Sequence, residues 1–288
     1  MRVSWKDAVN SGLRRTGYEL RRTTSRTPAA AKPRPRSTKA RAGDRLLDEP
    51  IFVMCTLRSG STLLRVLLNS HSQVHCPHEI HLRYLGVDLE TKWVERSMKE
   101  MGLDEERLEY LLWDRVLHRE LTSSGKPRLA TKTPNDVFIA DRIKTCWPDA
   151  KMIFLLRHPA AIVKSRQDYQ GEDADFDKNV DLIRRYCEAL EAARQKYDGV
   201  TIRYEQLTAD PQATMRRVCA HLGVKFEPGM LEYGEQDHGR FKSGLGDWRD
   251  KIKSGKIQPP PPPPEDVPEP LRPIAETWGY LPQTAATP

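Results

Sequence analysis

From Pro50 onward the chain alternates short, continuous apolar runs with longer stretches of helical periodicity. The runs IFVMC (51–55), RLAT (128–131), KMIFLL (151–156) and VTIRY (200–204) have the length and aliphatic or aromatic content of strands. Helical spacing marks Thr62 to Asn69, much of Asp88 to Glu120, Asn135 to Cys146, Ala160 to Arg166, Asp177 to Tyr197 and Pro211 to Leu222. Strands that are apolar at every position, rather than at every second one, are buried on both faces, as in a parallel sheet covered by helices. The pattern predicts an α/β fold, a doubly wound parallel sheet flanked by helices, with ligands at the carboxyl ends of the strands.

Residues 1–45 follow neither period. Trp5 to Arg22 has a weak basic amphipathic pattern, and Thr23 to Arg45 is too polar to bury a core, so a largely disordered arm is expected ahead of one domain over 46–288. The arm holds 13 Lys/Arg and 3 Asp/Glu, a net of +10 against +7 for the whole chain, which leaves −3 for the domain. The basic balance therefore belongs to the arm. It suits an anionic membrane surface or an acidic partner, with a solvated tail as the plain alternative, and specific nucleic-acid binding by the domain is not expected. Near the other end, Pro259 to Pro264 is expected to form an extended polyproline strap that ties a last segment, Leu271 to Tyr280, across the domain. Five scattered cysteines without a CxxC pair argue against a disulfide framework or a structural zinc site. No apolar run is long enough for a signal peptide or a membrane span, and a cytoplasmic location is expected, with the arm the only part suited to the membrane periphery.

Two segments carry candidate chemistry. In LRSGSTLL (57–64) a strand gives way to a helix through a turn of small residues. Helix-leading N–H groups lack internal partners and favour anions. Gly60 permits close backbone approach, Ser61 and Thr62 bring hydroxyls, and Arg58 brings a charge. The Walker pattern would place a lysine just before Ser61, and here that residue is Gly60. In LLRHPAAIVKSR (155–166) Arg157 ends a strand, while Ser165 and Arg166 lie about two turns along the next helix, an arrangement fit for a second phosphate.

Taken together, the two segments resemble the phosphosulfate loop and the 3′-phosphate segment of the sulfotransferases that use 3′-phosphoadenosine 5′-phosphosulfate (PAPS). LATKTPN (129–135), RYEQLTADP (203–211) and the glycine-rich KSGLGDWRDKIKSGKI (242–257) extend the resemblance over roughly residues 50–280. It implies a P-loop-type sheet and PAPS as co-substrate. It further implies nucleotide contacts from Arg58, Ser59, Gly60, Ser61, Thr62, Arg157, Ser165, Arg166, Tyr204, Gly244, Leu245 and Gly246, and sulfuryl transfer without a metal. The stretch HSQVHCPHEIHL (71–82) is similar to one in tyrosylprotein sulfotransferases and related bacterial enzymes, and puts the catalytic glutamate at Glu79. Lys132 falls on the lysine that approaches the bridging oxygen.

His78 and His81 are the alternative bases, and the spacing of His71, His75, His78, Glu79 and His81 is not that of a HExxH zinc site. His81 stands where the tyrosine-sulfating enzymes carry an arginine, so the expected acceptor is a hydroxyl on a sugar, lipid or natural product rather than a peptide tyrosine. A P-loop nucleotide kinase shares the sheet and the first turn, and a non-catalytic anion-binding protein shares the arm; these are the alternatives.

Overall fold

A computed structural model describes residues 45–239 and 250–282. The basic arm before residue 45, with the amphipathic pattern over Trp5 to Arg22, and the Gly244, Leu245 and Gly246 positions lie outside the described residues.

In chain order the main elements are β1 (Ile51–Cys55), α1 (Ser61–Ser70), β2 (Val74–His75), α2 (Lys92–Glu100), α3 (Glu105–Ser124), β3 (Arg128–Thr131), α4 (Ala140–Cys146), β4 (Lys151–Leu156), α5 (Pro159–Gln170), α6 (Phe176–Lys196), β5 (Gly199–Arg203), α7 (Tyr204–Ala209), α8 (Pro211–Leu222), α9 (Asp250–Lys253) and α10 (Arg272–Thr277). The strands form one parallel sheet in the order β2-β3-β1-β4-β5. Alternate residues feed two separate cores. Phe52 and Met54 of β1 join Met152, Phe154 and Leu156 of β4 beneath α3 to α6, whereas Ile51, Val53 and Cys55 join Ile153 and Leu155 beneath α1 and α8. Both faces are covered, which is why every residue of β1 is apolar and buried.

The helices start and stop where local chemistry dictates. Side chains of Thr91, Asp104, Asp175 and Asp210 accept hydrogen bonds from the first-turn amides of α2, α3, α6 and α8. Gly125 and Gly223 end α3 and α8 in the left-handed conformation.

The pattern departs from the structure in three places. The expected helix over Asn135 to Cys146 begins as a 3-10 helix, Pro134–Ile139, whose first bond runs from Asp136 N to the Thr133 carbonyl at 3.0 Å. A two-residue strand, β2, is too short for periodicity to reveal. Tyr204, expected to end a strand, opens α7 instead.

After the proline run, the chain packs on the domain through buried Val267, Leu271, Ala275 and Trp278. The Trp278 indole N–H donates to Glu191 Oε2 at 2.8 Å, Arg203 donates to the Trp278 carbonyl, and the Tyr280 hydroxyl donates to Glu205 Oε2 at 2.7 Å. All five cysteines are free and buried, and burial raises every thiol pKa, to about 12 for Cys55 and about 11 for Cys76 and Cys219. Among the described residues no helix is long and apolar enough to cross a membrane.

Trp278→Ala removes a fully enclosed indole and leaves Glu191 without one of its donors. We expect about 3–5 kcal/mol of lost stability, read as a lower urea midpoint with unchanged cooperativity.

Candidate active site

Cys55 of β1 is level with Leu155 of β4, and Leu156 with Arg203 of β5. The chain therefore leaves three neighbouring strands side by side, and Arg58, Arg157 and Tyr204 emerge together at the point where the strand order reverses. A cleft of about 380 Å³ opens there.

Its floor is the turn between β1 and α1. Gly60 is left-handed (φ 82°), and a Cβ on it would lie 2.2 Å from two ring carbons of Tyr204. Glycine is thus required twice, for its dihedral and for the ring pressed against it. Arg58 is also left-handed (φ 58°), a costly conformation for a residue with a side chain. Arg58 Nε donates to Ser165 Oγ at 3.3 Å, and its guanidinium lies 5.0 Å from the centre of the Tyr169 ring. The Ser59 hydroxyl turns inward and donates to the Thr56 carbonyl at 2.7 Å, so this residue shapes the turn while Gly60, Ser61 and Thr62 line the cleft.

Arg157 spans the turn from the β4 side. Its Nη1 donates to the Arg58 carbonyl at 2.7 Å, and its guanidinium sits 4.7 Å from the centre of the Tyr204 ring. Its Nε is buried with no partner among the described residues, a donor left over for a ligand. Burial lowers the Arg157 pKa, partly offset by Tyr204 and Glu205. Ser165 reaches the cleft with Arg157, but Arg166 does not line it: its Nε donates to Asn179 Oδ1 at 2.6 Å.

At the β3 side Glu79 lines the cleft, and Lys132, wholly buried behind it, donates to Glu79 Oε1. β3 stops at Thr131, level with Phe52, so Lys132 leaves the sheet below the end of β1 and reaches Glu79 with a fully buried side chain. The loop bearing Glu79 is tied down on several sides. Cys76 N donates to Asn69 Oδ1 at 2.9 Å, Arg65 Nη1 donates to the Cys76 carbonyl at 3.3 Å, and Ile80 N donates to Thr133 Oγ1 at 3.2 Å. His81, left-handed at φ 59°, places Nε2 3.7 Å from Glu79 Oε2. His78 pairs Nδ1 with the Glu79 carbonyl at 2.9 Å. Neither histidine lines the cleft, so of the three candidate bases only Glu79 faces it.

Sequence reasoning missed two features. One is Asp136, a wholly buried carboxyl with no hydrogen-bond partner for either oxygen among the described residues. Burial, reinforced by Glu79 and opposed by Lys132, raises its pKa to about 8. A polar residue two positions after a proline carries no sequence signal of such burial. The other is the wall facing the turn, where Tyr233, Ile252, Lys256, Gln258 and the proline run complete the cleft. Among the described residues no group of three or more His, Cys, Asp or Glu is arranged to hold a metal ion.

Residues 50–228 match the profile of the sulfotransferase family. Protein-tyrosine sulfotransferase 2 of Gallus gallus is 24% identical over 201 residues, which are 64% of this chain and 54% of that protein. Protein-tyrosine sulfotransferase 1 of Danio rerio is 26% identical over 201 residues, covering 64% of this chain and 56% of the relative. The chain spans about half the length of these curated relatives. In fold it is similar to the sulfotransferase domain of the Synechococcus PCC 7002 olefin synthase, with a TM-score of 0.60 at 22% identity, over 82% of this chain and 98% of that one.

Asp136 supplies a pH test. Its folded pKa, near 8, lies above the unfolded value of 3.8, so between those values the folded state holds a proton that the unfolded state has released. Stability then falls as pH rises through that window. Asp136→Asn, which has no proton to lose, should raise the melting temperature at pH 7.5 and change it little at pH 4; equal shifts at both pH values would refute the assignment.

Proposed function

The chain belongs to the sulfotransferase family, and from that premise we propose that it transfers a sulfuryl group from PAPS to an acceptor hydroxyl. The observation carrying this reading is a single cleft that joins an anion-fitted turn, an arginine with an unspent buried donor, and a carboxylate paired to a buried lysine. Gly60, Ser61 and Thr62 line the cleft where the leading amides of α1 favour an oxyanion, and two guanidiniums stand beside them, so the residues present fit a nucleotide with two separate anionic ends.

In this reading Arg58 and the Gly60 to Thr62 backbone hold the 5′-phosphosulfate. Arg157 and Ser165 hold the 3′-phosphate, with Arg166 supporting that side from its bond to Asn179. Gly244, Leu245 and Gly246 keep the nucleotide contacts that the resemblance implies for them. Glu79 takes the proton of the attacking hydroxyl as the new oxygen–sulfur bond forms and the sulfur–oxygen bond to the nucleotide breaks. Lys132 neutralises the negative charge gained by the departing phosphate. The ion pair links the two events. A carboxyl that has gained a proton no longer holds the ammonium, so proton uptake at Glu79 releases Lys132 when the leaving group develops charge.

This mechanism assigns charge stabilisation to Arg58 and Lys132 and calls on no metal. For the acceptor we favour a hydroxyl of a sugar, lipid or natural product, because His81 occupies the place of the arginine in tyrosine-sulfating enzymes. The five free cysteines support a reducing, cytoplasmic setting, and the basic arm suits contact with an anionic membrane surface.

Arg157→Ala should weaken binding of the product nucleotide, 3′-phosphoadenosine 5′-phosphate (PAP), about 10- to 100-fold in calorimetry, the worth of one charge-assisted contact. Unchanged affinity would remove this residue from the site.

Glu79→Gln should keep PAP affinity while turnover on an alkyl hydroxyl drops about 10²- to 10⁴-fold. A nitrophenol acceptor, which gives up its proton readily, should partly rescue Glu79→Gln and leave Lys132→Ala impaired. Full activity of Glu79→Gln alongside an inactive His81→Ala would move the base to the histidine.

A further inference from the structure

Six consecutive prolines, Pro259 to Pro264, lie in a segment fixed at both ends. Before the run, Ile252 is buried and Ile257 packs on the core beneath α1 and α8. The Tyr233 hydroxyl donates to the Lys256 carbonyl at 3.1 Å, and Gln258 Nε2 donates to Ser254 Oγ at 3.2 Å. Gly234 and Gly255 meet so closely that a Cβ on the first would lie 2.6 Å from the Cα of the second. After the run, Val267 and Leu271 are buried in the other core, beneath α3 to α6. The strap thus bridges the two layers, and Pro261, Pro262 and Pro264 line the cleft as it crosses.

A polyproline II chain repeats every three residues, so Pro261 and Pro264 share one edge, while Pro263 is turned elsewhere. Pro261 and Pro262 remain exposed, presenting pyrrolidine rings to the cleft without covering them. Such a wall has no charge and no backbone N–H to offer. It is stiff before any ligand arrives, and its ring C–H edges suit the face of a flat aromatic system, the pairing by which aromatic grooves grip polyproline peptides.

Resting on the PAPS reading above, we infer that the proline strap is the base-side wall of the nucleotide cleft, with Pro261 and Pro264 packing against the purine. Of the donor's parts, the two phosphate ends need the cations at Arg58 and Arg157. The reacting sulfate and the acceptor belong beside Glu79. The purine is the part whose chemistry matches uncharged rings; Tyr233 and Ile252 add apolar surface on the same side, where Lys256 and Gln258 are the polar residues. The strap thereby separates a flat nitrogenous base from a bare sugar bisphosphate.

Calorimetry with two ligands tests this: PAP, and ribose 3,5-bisphosphate, which has both phosphates and no base. For Pro261→Ala/Pro264→Ala we expect PAP affinity to fall about tenfold, the scale of one base stacked on a side-chain platform, with ribose bisphosphate unchanged. Pro263→Ala, which loosens the run without removing a cleft-lining ring, should leave both ligands unaffected. Unchanged PAP affinity in the double variant would overturn the inference, with a raised acceptor KM in its place assigning the wall to the acceptor. Equal losses for both ligands, or the same loss in Pro263→Ala, would reduce the strap to a stiffening element. If the wild type binds neither ligand, the PAPS reading itself fails; if it binds both equally well, that reading stands and the base wall does not.

Discussion

Cys55, Leu155 and Ile202 lie level across three adjacent parallel strands, and this register decides where every charged group of the cleft appears. Just beyond the sheet, Arg157 meets both the Arg58 carbonyl and the Tyr204 ring because the strands release these segments at the same height. A slip of one residue would turn each side chain to the opposite face and mix the two cores. The pressure of the Tyr204 ring on Gly60 is the local expression of that register: the turn closes because α7 begins immediately after β5.

Within this frame the electrostatics of the Glu79 side follow from scarcity of water. Lys132 is buried with one carboxylate close by, and a lone ammonium there would be strongly disfavoured. Asp136 is buried in the same region and influenced by both. Were it also ionised, two carboxylates would share one ammonium in a poorly solvated space. Holding its proton keeps the group near neutrality and leaves Lys132 committed to Glu79. The arrangement keeps Glu79 at the mouth of the cleft and its cation behind it, where solvent cannot compete.

Much of this was legible in the sequence. β1, β3 and β4 stand at the residues their apolar runs mark, because strands buried on both faces leave an unbroken signature. The cleft could be located from Arg58 to Thr62 and Arg157 to Ser165, whose residue types suit anions wherever a strand meets a helix. What could not be read depends on contacts between distant residues. The inward turn of the Ser59 hydroxyl is set by the Thr56 carbonyl, and the diversion of Arg166 by Asn179 on another helix. The burial of Asp136 and the approach of the proline run to the cleft are likewise products of packing, for which local pattern has no marker. β2 escaped notice because two residues have no period.

The five cysteines lend the molecule a practical property. Their thiols are enclosed and held well on the protonated side of neutrality, so alkylating reagents meet almost no thiolate on the folded chain. One cysteine introduced on the exposed proline run would therefore be the preferred site of labelling in an otherwise native protein. A fluorophore attached there would sit at the rim of the cleft and report its filling in real time, with no background from the five thiols already present.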